Sequence, residues 1–290
     1  MNLIEDVVIS ALILGGLYAL LSLGFSLISG VARIMNLAHG ALYMLTAYLI
    51  YALLFLGLGI AIIISLTLVV LFALIIYKLF IGPMREKGAE AALVTLALAL
   101  VVQESVKLIW GPEFKSIPSV ISGSVTILGV GVTNQRLLAL GAAAVLVSIL
   151  WFVVMRTKPG KGIRAVAQNM EVARLVGINI RRVFMFSMGI SALLAGFAAV
   201  FFAPLNVVSS TMWTILFQAF PVIVLGGLGS LKGSFIASFV MAFVDKIVEF
   251  YIIAGYGAEI VSFVIMAVIL LVRPTGLFGK SSSGGGGSGF

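Results

Sequence analysis

The chain has 290 residues, of which 62% are hydrophobic and only 10% charged, with a net charge of +8 and no cysteine. A soluble domain carries about 25% charged residues, so this composition excludes a soluble globular protein and points to a helical membrane protein. The lack of cysteine excludes disulfides and thiolate metal sites. The positive charge follows from loops and lipid head groups and gives no reason to expect nucleic acid as a partner.

Apolar runs long enough to cross a ~30 Å hydrocarbon core recur along the chain. They predict an all-α polytopic membrane protein with about eight or nine transmembrane helices, some of them broken or re-entrant. The candidate runs are 7–29, 36–56, 59–81, 91–110, 136–155, 183–203, 211–228, 234–254 and 257–272. The first has no basic flank and no cleavage site, so it is expected to stay as a span. Between the fourth and fifth runs, Trp110 to Gln135 holds Pro112, Pro118 and four glycines. This stretch reads as an ordered loop that covers a mouth or meets a soluble partner.

Seven of the eighteen basic residues fall in Arg156 to Arg182, with Glu171 as the only acid. A solvated basic segment between membrane-grade runs faces the cytoplasm by the positive-inside rule. Alternation then places the C-terminus inside and the N-terminus outside, with fourteen cations on the inner side against four elsewhere. Within this segment, Lys158 to Gly162 is a glycine-broken start. Ile163 to Val176 follows as an amphipathic helix with Ile163, Val166, Ala167, Met170 and Ala173 on one stripe. Arg164, Gln168 and Glu171 are expected on the opposite side, and Gly177 as the C-cap, with Ile178 packing back. Two readings stand side by side: a helix lying on anionic lipid, or a helix whose apolar stripe enters a groove on a cytoplasmic protein.

Two polar, glycine-containing breaks interrupt the apolar pattern. Asn36, His39 and Gly40 form the first, Pro221 with Gly226, Gly227, Gly229 and Ser230 the second. Irregular backbone survives in a membrane only where buried in protein or lining water. Asn36 and His39 are therefore structural pins that satisfy the backbone, or lining and gating residues; a titrating or metal-binding histidine is a third reading, without a second ligand. Pro221 predicts a kink near Phe217. Both breaks precede a span that begins with small residues and would run in the same direction, which hints at a parallel repeat with a solute path between the breaks. Asp245 and Glu249 are four apart in the eighth run, beside Lys246. They read equally as an intersubunit or polar pathway site and as interfacial charges.

Ser281 to Phe290 reads SSSGGGGSGF and is set aside as an engineered Gly/Ser linker or tag remnant, leaving 1–280 as the membrane domain. Gly279-Lys280-Ser281 mimics the end of a phosphate-binding loop, but Pro274 stands where that loop needs glycine. Nucleotide-driven work is thus expected of another polypeptide.

Several of these stretches resemble one family. Asn36-Leu-Ala-His-Gly40, Gly16 to Gly24, Gly162 to Asn179, Val224 to Ser230 and Arg273 to Gly279 are similar, in this order, to the branched-chain amino-acid ABC permeases of the LivH/LivM type, and closer to the LivH-like member. Leu37 stands where the family more often has phenylalanine. The resemblance implies a type II ABC importer permease fold and a transport subunit that is not itself an enzyme. The implied partners are a second permease subunit (a LivM-like homologue or another copy), two cytoplasmic ATPases and an extracytoplasmic substrate-binding protein, in the cell membrane with its lipid. No cofactor is expected on this chain; ATP and magnesium belong to the ATPases. Ile163, Arg164, Ala167, Met170, Glu171, Arg174 and Gly177 would then form the coupling helix, and Asn36 to Gly40 and Gly226 to Ser230 the alternating-access breaks. Solutes open to such a permease include branched-chain and other neutral amino acids, urea or short amides, and sugars. A stand-alone ion-coupled carrier using Asp245 and Glu249 is the rival from another class.

Overall fold

The computed structural model describes residues 3–84, 87–127, 129–252, 257–273 and 276, and a helix meets every predicted span. The described helices are α1 (Leu3–Ala32), α2 (His39–Leu53), α3 (Leu58–Ile76), α4 (Gly82–Met84), α5 (Gly88–Trp110), α6 (Asn134–Arg156), α7 (Lys158–Gln168), α8 (Met170–Leu175), α9 (Ile180–Phe202), α10 (Ile215–Gly226), α11 (Leu231–Tyr251) and α12 (Gly257–Val272). A π-helical turn, Tyr77–Ile81, joins α3 to α4. The linker reading of 281–290 lies outside the described residues.

Among the described residues, six helical stretches are long and apolar enough to cross a bilayer: Ile4–Ala32, His39–Leu56, Leu58–Met84, Gly88–Trp110, Asn134–Arg156 and Ile180–Leu205. The last three predicted spans differ from these. α11 has the length, but Lys232, Asp245, Lys246 and Glu249 lie along it. α10 has 12 residues, which at 1.5 Å per residue gives about 18 Å, roughly half a membrane. The chain reaches it through irregular backbone and a single 3₁₀ turn, Met212–Thr214. The seventh predicted span is therefore half helix and half irregular segment.

Burial sorts the helices into a centre and a periphery. Within the apolar windows of α1 and α9, 67% of residues are buried, against 22% in α5 and α6. α1 is central because small residues let α11 approach it closely, which in a membrane replaces hydrophobic driving force with tight packing. Ser26 Oγ lies 2.5 Å from Ser234 Oγ. A Cβ on Gly30 would stand 2.9 Å from the Gly229 carbonyl oxygen.

The loop after α5 is ordered, as predicted. Strands β1 (Ser124–Ile127) and β2 (Val130–Thr133) form an antiparallel hairpin, and Lys115 pairs with Val208 in an isolated bridge. Gln135, almost fully buried, holds the loop down. Its side-chain oxygen accepts the Val120 N–H at 2.9 Å, and its amide donates to the Phe201 carbonyl at 2.9 Å. The fold thus has a hairpin end and, opposite, a basic end that carries α7 and α8.

Candidate functional site

The first break starts at Arg33, whose φ of 55° turns the chain out of α1. Residues 33–38 then run back into the protein without regular structure, and α2 begins at His39. His39 lies beside Gly24 of α1 and Ser191 of α9. Counting helix rise from the basic end puts both roughly 12–16 Å deep, near mid-membrane. The inner half of this crossing is irregular and its outer half helical. In the 206–226 crossing the order is reversed. Along the chain both crossings run from irregular segment to helix, in opposite directions across the membrane.

Two groups of the irregular backbone are held by a residue that the sequence does not single out. Thr95 of α5 accepts the Leu37 N–H at 3.0 Å, and its hydroxyl lies 3.2 Å from the Met35 carbonyl. Asn36 and His39 turn elsewhere. Asn36 Nδ2 donates to Met188 Sδ at 3.7 Å, and His39 Nδ1 meets Ser191 Oγ at 3.1 Å. Both side chains are fully buried, and Asn36 Oδ1 and His39 Nε2 have no hydrogen-bond partner among the described residues. His39 is wedged against Gly24, where a Cβ would come within 2.7 Å of the ring. It is a pin between α1, α2 and α9.

Gly40 brings two helix ends together. A Cβ there would strike the Trp213 carbonyl and stand 2.9 Å from Leu216 Cβ. The N-termini of α2 and α10 therefore converge at mid-depth, and neither has a side-chain cap. The leading N–H groups bond back to local carbonyls, His39 to Asn36 at 3.1 Å and Ile215 to Met212, while the helix starts keep their partial positive charge. The Trp213 indole donates to Gln103 Oε1, joining α5 to this point. Neither residue stood out in the sequence as part of the breaks, because a lone glutamine in a span and an aromatic at a loop end are common. Beside the convergence, Phe25, Leu216 and Ile223 form a separate apolar cluster with Met35, Leu37 and Phe220 around it.

The second break closes the basic end by backbone contact. Gly227 and Gly229 have φ of 87° and 83°. A Cβ on Gly229 would stand 2.7 Å from Gly30 Cα, and one on Gly276 would stand 2.8 Å from Gly227 Cα. Gly226 is equally tight against Gly233 and Ser234. Pro221 lies inside α10, which continues through it and leaves the Phe217 carbonyl without its helical N–H.

Asp245 and Glu249 part company. Asp245 is buried and accepts from Tyr18 of α1 at 2.8 Å and from Ser262 of α12. Glu249 is half-exposed and pairs with Lys246 at 2.5 Å. The geometry makes Asp245 a three-helix tie.

The predicted single helix of the basic segment is two. Lys158 to Gly162, expected to break the chain, are the first turn of α7, capped by Thr157, which accepts the Gly160 N–H at 3.2 Å. Asn169 ends α7 and caps α8, accepting from Glu171 N and Val172 N at 2.9 and 3.1 Å. Gly177 (φ 83°) stops α8, with Ile178 N–H donating to the Ala173 carbonyl at 3.0 Å, as a Schellman ending requires. The expected docking stripe is not free: Ile163, Val166 and Ala173 are buried in this chain, and Ala167 and Met170 partly so. Arg164, expected on the open side, turns back and donates to the Val154 and Met155 carbonyls at 3.2 and 2.9 Å, closing the end of α6. The surface left open carries Val172, Leu175 and Val176, which are 53%, 85% and 69% exposed, with Glu171 and Arg174 beside them.

The family model described as "Branched-chain amino acid transport system / permease component" matches residues 7–273. The chain belongs to this permease family. It is 25% identical over 288 residues to the high-affinity branched-chain amino acid transport system permease protein LivH of Escherichia coli K12, covering 92% of each chain. It is 24% identical over 294 residues to BraD, the corresponding permease protein of Pseudomonas aeruginosa PAO1, covering 94% of each. Among solved structures it resembles a chain of PsaBC from Streptococcus pneumoniae in complex with Fab, with a TM-score of 0.53, 14% identity, and coverage of 95% of this chain and 93% of that one. That likeness is one of fold. The permease is thus an all-α, multi-pass membrane transport component with broken crossings, as its sequence predicts.

Proposed function

We propose that this permease forms half of the membrane path of an ATP-driven importer of branched-chain or other neutral amino acids. The observation that carries the reading is the meeting of the starts of α2 and α10 at mid-membrane, in a chain of the branched-chain amino acid permease family. A zwitterionic solute needs donors for its carboxylate, and paired helix N-termini supply them. Asn36 Oδ1 is an acceptor for the ammonium group. The cluster of Phe25, Leu216 and Ile223 suits an aliphatic side chain, and suits urea or a sugar less well.

In this reading the basic end is cytoplasmic, the hairpin end meets an extracytoplasmic binding protein, and a second permease subunit, a LivM-like homologue or another copy, completes the path. Two ATPases dock on α8 and the turn that follows, through Val172, Leu175, Val176 and Arg174. Their closure moves α6 and α9, between which α7 and α8 are held. The path opens alternately at the hairpin end and at the glycine contacts of Gly30, Gly229 and Gly276. The ion-coupled rival gains nothing from the geometry, since Asp245 and Glu249 are each already bonded and do not form one site.

Uptake by the assembled transporter should be competed by leucine, isoleucine and valine, and little by urea or ribose. Competition by urea or ribose but not by leucine would refute the solute assignment.

A further inference from the structure

The flank of the permease carries a cavity whose lining includes none of the residues of the two breaks. A cleft of about 580 Å³ lies between α1, α6 and α11, walled by Leu23, Val147, Leu150, Leu231, Phe235 and Ile236. Its one hydroxyl, Ser148 Oγ, is already used on the Ala144 carbonyl at 2.8 Å. The polar groups of the lining are otherwise the Trp151 indole N–H and the Lys232 ammonium, and the rest of the wall is apolar. Ser148, Phe235 and Ile236 are exposed on the outer face of the chain.

Lys232 stands at the edge of this cleft, at the basic end, with its ammonium 5.8 Å from the Trp151 ring centroid. Trp151 lies five residues before the end of α6, about 8 Å along the helix, so its ring links the apolar depth of the cleft to the lysine at the basic end. Lys232 is in the first turn of α11, where the helix dipole opposes a cation. Among the described residues no carboxylate pairs with it. An anion at this point gains the ammonium and the helix end together. An apolar cleft with an unpaired cation at interface depth matches one ligand chemistry, a phosphate carrying an acyl chain.

We infer that the α1–α6–α11 cleft binds an anionic phospholipid, its acyl chain between Leu23 and Phe235 and its phosphate on Lys232. The test is native mass spectrometry of the full chain, purified with the subunits that accompany it, from membranes holding phosphatidylglycerol and phosphatidylcholine in equal amounts. Wild type is expected to keep one phosphatidylglycerol per copy through detergent washing. Lys232→Ala should cut the preference for phosphatidylglycerol about fivefold, and Ser148→Trp, filling the cleft from its lipid side, should abolish retention of both lipids. Equal retention in all three proteins overturns the proposal. So does a Ser148→Cys variant, the chain's sole cysteine, that a membrane-permeant maleimide fails to label after delipidation, because a polypeptide then fills the cleft.

Discussion

Single residues hold the mid-membrane site, and each makes a separable prediction. His39 fills the space that Gly24 leaves, so Gly24→Val drives two methyls into the ring. Such overpacking costs about 1–3 kcal/mol, and a lower melting temperature in detergent is expected. Adding His39→Ala to that variant should recover part of the loss; no recovery would show that the two residues do not share one space. Thr95→Val leaves the Leu37 N–H without its acceptor, a loss of about 1–3 kcal/mol that the same melting experiment reads. The signature Asn36 to Gly40 was legible because polar residues are conspicuous in an apolar chain. Thr95 was not, since a lone threonine in a span usually bonds its own helix. Its role depends on a neighbour about sixty positions away, as that of His39 depends on Ser191.

At the scale of elements, the basic segment separates what periodicity can say from what it cannot. The helical spacing of Ile163, Val166 and Met170 and the stop at Gly177 were readable from sequence. Which surface covers the stripe was not, because a helix carries the same pattern whether it packs on its own chain or on a partner. Here it packs at home, and the break at Asn169 turns α8 outward. Ile163→Asp is therefore expected to lower the melting temperature of the chain itself, as is Arg164→Gln, which removes the cap on two carbonyls of α6. Leu175→Asp should leave melting unchanged while ATPase subunits no longer co-purify. Retained co-purification in Leu175→Asp would move the docking surface away from α8.

For the whole molecule, the order of the apolar segments was legible, since a bilayer needs long apolar helices, but not that only six of the nine predicted spans have that length and composition among the described residues. The depth of the breaks was not. It follows from register between distant segments: Gly30 against Gly229, Gly40 against Trp213, Gly276 against Gly227. Glycine marks a close approach without naming its partner. Nor could composition show that Asp245 and Glu249, one turn apart, belong to different environments.

This permease is expected to move its solute only when ATPases drive it. This expectation is tested by leucine uptake into proteoliposomes holding the chain with its partner permease, ATPases and binding protein, compared with the chain alone under a sodium or proton gradient. ATP-dependent uptake is expected in the full assembly, with its loss in Leu175→Asp and none in the chain alone. Gradient-driven uptake by the chain alone, without ATPase or binding protein, would contradict it.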